Sequence, residues 1–463
     1  MLTSYRFLPL LLLCGCQAVL SPRSIVEVVV EDESADGLVK LASYQDPVEP
    51  SLQPAPLEES GVIELPAPTE SSESSLTLAD LEERALAQHP GLMEGFARRD
   101  ALIGKRIQEG VCPNPQIGYS GQQLFSNGEA EQHGIYLGRD FVPARKRFAR
   151  QAVVTEEITK QDLQNEVQRQ RVLTDVRLSY YRVLVAQQRL ELTQELVHIS
   201  EETVKTAKKM FEALVVGRVD VIRLETERQS VMLQQKKAEA DYQATWTGLA
   251  ILTGLPTNTP QFLDGRLDDF ADTLSYDEAL QHLLQQSPAI SVAEAEVGLS
   301  HSTLNRELAE KLGDVEVQTV VQSDNGTGRA NANVQVSVPL LYSDWNQGAI
   351  RQARAELVAA DRAVDTTRLK LEKKLALVYA KYVTSRNIVT EYSKPNGILE
   401  TSLTALKLVR EGYELTELLY VDLLSAQRKV SQANLTYLDA LDELWAASIE
   451  IEGLLLKDSL GSD

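Results

Sequence analysis

Positive charge is in short supply. The chain of 463 residues carries 46 Lys and Arg against 67 Asp and Glu, a formal net charge of −21. A nucleic-acid partner is thereby excluded, because a phosphate backbone needs a basic face. Cysteine is scarcer still: of 3 in all, only Cys112 lies beyond position 16, so no intrachain disulfide is expected even in an oxidising compartment. The 4 Met form no ladder for soft metals, and the 5 His (His89, His133, His198, His282, His301) include no pair at helical spacing. There is no GxxxxGK[ST], HExxH or CxxC, and Gly326-Thr327-Gly328 lies in a turn without a third glycine. Nothing here reads as an enzyme, and no cofactor is implied. Aromatics make up 6% while Gln and Leu are plentiful, a balance that suits long helices better than a sandwich of strands.

What is present begins with Arg6 and an apolar run from Phe7 to Leu13. It is too short for a mature membrane helix and fits the apolar region of a secretory signal. It closes on Leu13-Cys14-Gly15-Cys16, which resembles a bacterial lipobox with Cys16 as the lipidated residue. Residues 1–15 then read as signal peptide. Residues 16–75, rich in Pro, Ser and Glu, read as a disordered acidic tether without a core.

Beyond the tether one plan occurs twice. TLADLEERALAQHP (77–90) matches SYDEALQHLLQQSP (275–288) at Leu86/Leu284, Gln88/Gln286 and Pro90/Pro288. Each copy starts with helix, changes to a period of two, turns, alternates again, stops at a proline (Pro143, Pro339) and enters a long helical hairpin. Pro90/Pro288, Pro143/Pro339 and Gly254/Gly453 keep a nearly constant separation of roughly 200 residues, the mark of a duplication. The first repeat is set at 76–255, with strands at 115–125 and 133–142. A linker follows at 256–273. The second repeat is 274–455, with strands at 314–322 and 331–340, and 456–463 is a tail. Asn325-Gly326 signals the second hairpin turn. From Ala144 to about Met210 there is neither Pro nor Gly, which predicts a helix on the order of 100 Å long. Pro395 should break the corresponding helix of the second copy.

The strands set the function. One face of each is Ile, Val, Leu, Tyr and Phe; the other is Gln, Asn, Ser and Gly. Strands of about 8–11 residues with that pattern suit a lipid-crossing barrel with a wet lumen. Backbone groups in lipid must be paired, and four strands cannot enclose a lumen, so several chains must share one barrel. This arrangement resembles the TolC-type outer-membrane efflux proteins over residues 76–455. GVCPNPQIGYSG, VPLLYSDWNQGAIRQA and LLQQSPAI resemble the cobalt–zinc–cadmium branch. The resemblance implies a mainly α protein with a small β part. It implies a homotrimer whose 12-stranded barrel in outer-membrane lipid continues into a periplasmic α-helical barrel. Its far end would meet a periplasmic adaptor and an inner-membrane pump. The expected role is a passive export duct for heavy-metal cations; the rivals are a drug-efflux or type I secretion conduit and a periplasmic coiled-coil adaptor.

Two sets of residues are candidates for function. The first is the pair of tips, GRVDVIRLETER with Gly217, Asp220 and Arg223, and YELTELLYVDLLSAQR with Thr416 and Asp422. Their acids read equally as a cation-favouring ring and as solvated helix caps, with Asp220 a natural N-cap. The second is Tyr119, Phe125, Tyr136 and Phe141, read as membrane-interface aromatics.

Overall fold

Thr77 opens the first ordered helix in the computed structural model, which describes residues 76–125, 131–268, 274–340, 342–415, 418 and 420–461. The chain divides into Met1–Glu70 and Ser71–Asp463, and all of the described residues belong to the second unit. Thr77 Oγ1 accepts from the Asp80 N–H, and Asp80 Oδ2 accepts from the Thr77 N–H, both at 3.3 Å, a reciprocal capping box. Helix α1 (Leu78–Gln88) stops at His89, and Pro90 starts α2 (Pro90–Gly110), where its missing N–H costs no hydrogen bond. The hairpin β1 (Gln116–Gln122) and β2 (Gln132–Phe141) leads into α3 (Ala144–Glu212) and α4 (Arg218–Thr253). The order then recurs: α5 (Tyr276–Gln286), α6 (Pro288–Ala309), β3 (Val315–Asp324), β4 (Arg329–Ser337), α7 (Gln347–Ser393), α8 (Ile398–Glu414) and α9 (Tyr420–Glu452). The 69 residues of α3 make a rod of about 100 Å.

The fold is mainly α with one small sheet, built from two copies of the same plan. The four strands form a single antiparallel sheet in the order β1-β2-β3-β4. The central pairing, Phe141↔Val315 to Gln132↔Asp324, joins the two copies. Among the described residues both outer strands keep one unpaired edge. The same order governs the helices below the sheet: α2 packs on α3, α3 on α6 and α6 on α7.

Local chemistry moves several strand ends from where periodicity puts them. β1 stops at Gln122 because Gln123 (φ 54°) and Phe125 (φ 70°) turn left-handed, so Phe125 stands in the connection rather than on a strand face. The second turn spans four residues between Asp324 and Arg329 and not an Asn325-Gly326 pair. Asp324 Oδ1 accepts from the Gly326 N–H at 2.9 Å, the Gly328 N–H closes on Asp324 O at 2.8 Å, and Gly328 carries the positive φ. β4 ends at Ser337, two residues before Pro339, which has no N–H to give a ladder.

The core lies at the waist, where α1, α3, α4, α5, α7 and α9 meet around Val176, Val183, Trp246, Leu249, Leu375 and Leu441. Residues read as a linker are part of it. Leu263 and Leu267 are buried, Gln187 grips the Leu263 N–H (3.3 Å) and C=O (3.4 Å), and Trp445 Nε1 donates to Leu267 O at 3.0 Å. Leu455 and Leu456, beyond α9, are buried too.

Candidate functional site: an apolar sheet face and two helical tips

Register fixes the two faces of the sheet. Ile117 pairs with Leu137, Tyr119 with Ile135, Ile135 with Val321, and Val317 with Val336. This apolar face is open: Ile117 is 76% exposed, Ile135 62% and Val334 69%. The opposite face pairs Gln318 with Gln335 and Gln322 with Asn331. Tyr136 belongs to that polar face, opposite Gly118 and Val320. A Cβ at Gly118 would overlap the Tyr136 ring, so the glycine makes room for it. Tyr136 therefore is not grouped with Tyr119 and Phe141, because a period of two puts it one step out of phase with both. Tyr119 stacks on His133 near the turn end, and Phe141 lies under the Arg139 guanidinium (5.4 Å) at the helix end.

At that helix end the two copies are bolted together. Lys146, the third residue of α3 and buried, reaches Asp314 Oδ1 at 2.8 Å and Glu310 Oε2 at 3.3 Å; Arg150 Nε adds Glu310 Oε1 at 2.7 Å. Burial raises the Glu310 pKa, but the Arg150 hydrogen bond and the charges of Arg150 and Lys146 outweigh it and hold the carboxyl below its usual value. Pro143 is the N-cap of α3 and Pro339 packs against Gly313, so the two prolines flank this junction.

The opposite end carries the tips. After α3 the chain reverses at Leu214 (φ 61°), and the Val215 N–H returns to Met210 O at 2.8 Å. Gly217, not Asp220, is the N-cap of α4. Asp220 sits at its third position and accepts from the Gly217 N–H at 3.3 Å. Asp422 is exposed in the first turn of α9, and Arg223 is exposed on α4. Thr416 lies outside the described residues, as does Cys16. The corresponding Leu224 and Leu423 are both buried, at 2% exposure each, in a small core shared by the two tips. Tyr413 completes it, a residue that spacing alone did not single out. Its hydroxyl is buried without a hydrogen-bond partner among the described residues, and burial, then the Asp220 charge, raises its pKa. Around this core Leu214 (90% exposed), Val215, Val219, Leu415 and Leu418 stand in the open.

Among the described residues no helix is long and apolar enough to cross a membrane, and no group of three His, Cys, Asp or Glu could hold a metal ion. One antiparallel sheet with an apolar face stands on a row of helices, the longest of them, α3, about 100 Å long. This is the fold of the TolC-type outer-membrane channels. The outer-membrane channel OprN superposes with a TM-score of 0.68 at 17% identity, covering 83% of this chain and 91% of OprN. CusC, whose crystal structures concern transmembrane channel formation, gives 0.67 at 14% identity over 82% of this chain and 92% of its own. In sequence, the chain is 24% identical over 385 residues to the cobalt-zinc-cadmium resistance protein CzcC of Cupriavidus metallidurans, 82% of this chain and 90% of CzcC. No protein-family model matches the chain.

Proposed function

We propose that the chain is one protomer of an outer-membrane export duct for heavy-metal cations, acting passively within a tripartite efflux system. The observation that carries the reading is the sheet: an exposed apolar face, a Gln/Asn face behind it, and two unpaired edges. Open edges are not tolerated in lipid, so β1 of one copy must meet β4 of the next. The helices support the same head-to-tail contact. The outer members of the upper row, α2 and α7, expose Met93, Phe96 and Ile107 on one side and Val358, Leu369 and Leu377 on the other. Such a contact closes into a ring, and three copies, the number the TolC-type resemblance implies, give twelve strands. Tyr119 and Phe125 near the turns and Phe141 at the junction would mark the two lipid interfaces.

The exposed apolar residues of the tips suit docking by a periplasmic adaptor joined to an inner-membrane pump. Asp220 and Asp422 from each copy would ring the opening there and favour cations. Cys16 would carry the lipid that holds the tether to the membrane; incorporation of labelled palmitate, absent in Cys16→Ala, checks this. Metal cargo is supported by the likeness to CzcC and by the VPLLYSDWNQGAIRQA segment. Deleting the gene and growing the strain on zinc, cobalt, cadmium, copper and hydrophobic drugs tests the cargo. Sensitivity to metals is expected; sensitivity to drugs alone overturns it.

A further inference from the structure

A polar cavity lies apart from the strands and tips, where α2, α3 and α6 meet the segment that follows α9. It has a volume of about 640 Å³ and is lined by His89, Asn165, Gln168, Arg171 and Ser459 among others. His89 is 3% exposed. Its Nδ1 accepts from the Gly91 N–H at 3.2 Å, and burial pushes its pKa below the usual value against the pull of Asp175, so the neutral ring carries its proton on Nε2. Asn165 Oδ1 accepts from Gln161 Nε2 at 2.9 Å, which leaves the Asn165 amino group as donor. Ser459 is clamped by its main chain: its N–H donates to Asp175 Oδ2 at 2.6 Å and its C=O accepts from Gln168 Nε2 at 2.7 Å.

His89 Nε2, Asn165 Nδ2 and Ser459 Oγ are buried and have no hydrogen-bond partner among the described residues. Buried donors without acceptors are costly, and three on one cavity point to an acceptor-rich occupant. Charge points the same way. Arg171 lines the wall, while Glu94 is paired with Arg98. Helices α2 and α6 both begin here, with Gly91 of one and Ala289 of the other on the lining, and their N-termini add positive potential. Asp175, whose negative charge acts on His89 and opposes an anion, is held back by the main-chain N–H groups of Asp458 (3.0 Å) and Ser459 (2.6 Å), which both its carboxylate oxygens accept.

We propose that this cavity binds a small oxyanion, a phosphate or carboxylate group, through His89 Nε2–H, the Asn165 amino group and the Ser459 hydroxyl, with Arg171 supplying charge. A bound anion ties the segment after α9 to the start of α2.

The test uses the full-length protein in detergent, titrated with inorganic phosphate at constant ionic strength against chloride, with binding read by calorimetry and by hydrogen exchange at residues 458–461. The wild type should bind phosphate saturably and its exchange at those amides should slow. His89→Asn keeps an acceptor for the Gly91 N–H but loses the Nε2–H; with it, Asn165→Ala and Ser459→Ala should each bind at least tenfold more weakly. A parallel acetate titration separates the sources: acetate binding with the same sensitivity assigns a carboxylate, and phosphate binding alone assigns a phosphate. Phosphate acting no differently from chloride on the wild type overturns the proposal. So does equal phosphate affinity in the wild type and all three variants.

Discussion

The long helices of the two copies do the same job in different ways. In the first, α3 runs 69 residues without a break; in the second, α7 ends after 47, and α8 resumes for 17. Pro395 is the cause, since it has no N–H and pushes Lys394 into an extended conformation. The break is sealed locally. Asn396 takes a positive φ and donates its N–H to Glu400 Oε2 at 2.8 Å, and the Gly397 N–H returns to Lys394 O at 2.8 Å. A long helical element tolerates such a break provided the loose backbone groups find partners.

The largest test of how the copies depend on each other is at the top of the wall. Lys146→Ala takes the buried cation from the partly exposed Asp314 and leaves Glu310 to Arg150 alone, and should cost roughly 2–3 kcal/mol of stability, read by thermal unfolding. A loss under about 1 kcal/mol would mean that the copies do not rely on this bolt. Next is the break itself. A Cβ at Gly397 would stand 2.6 Å from Lys394 O, so Gly397→Ala should cost about 1–3 kcal/mol. At Gly217, the same substitution meets only Asp220 Oδ2 at 3.4 Å and should cost roughly half as much or less, as a lost cap does.

Acid provides a third contrast. Glu310 has a folded-state pKa below its ordinary 4.5, so its contribution is complete at neutral pH and fades as pH falls below 4.5 toward the folded value. Glu310→Gln should be less stable at neutral pH, and its stability should fall less steeply with acid; parallel acid limbs in the two proteins would contradict this. The smallest effect expected is at the second tip, where Asp422→Asn should lower the cation selectivity of single channels by a factor of roughly two. Unchanged selectivity in planar bilayers would return Asp422 to the role of a helix cap.

Most of the wall was legible in the sequence, because alternation, helical spacing and proline stops are local signals. Pro90, Pro143, Pro288 and Pro395 each stand where an element starts or stops, or within two residues of it. What was not legible depends on pairing between distant segments. Lys146 meets Asp314 across 168 positions, and no periodicity marks either residue as a partner of the other. Tyr136 looked like its aromatic neighbours until register assigned it to the polar face. Leu263 and Leu267 sit in a stretch rich in Asp, Thr and Pro that reads as a connection, yet Gln187 and Trp445 bind its backbone. At the tip, Gly217 and Asp220 were both visible, but which one caps α4 depends on the backbone angles at Gly217 and not on residue preference.

Completion of the unpaired β1 and β4 edges by further copies of the chain is the feature on which the duct depends. Native mass measurement of the protein extracted from outer membranes, followed by conductance in planar bilayers, tests it most directly. A species of three chains that forms a conducting pore is the expected result. A monomer that remains folded, with no conductance, would contradict it.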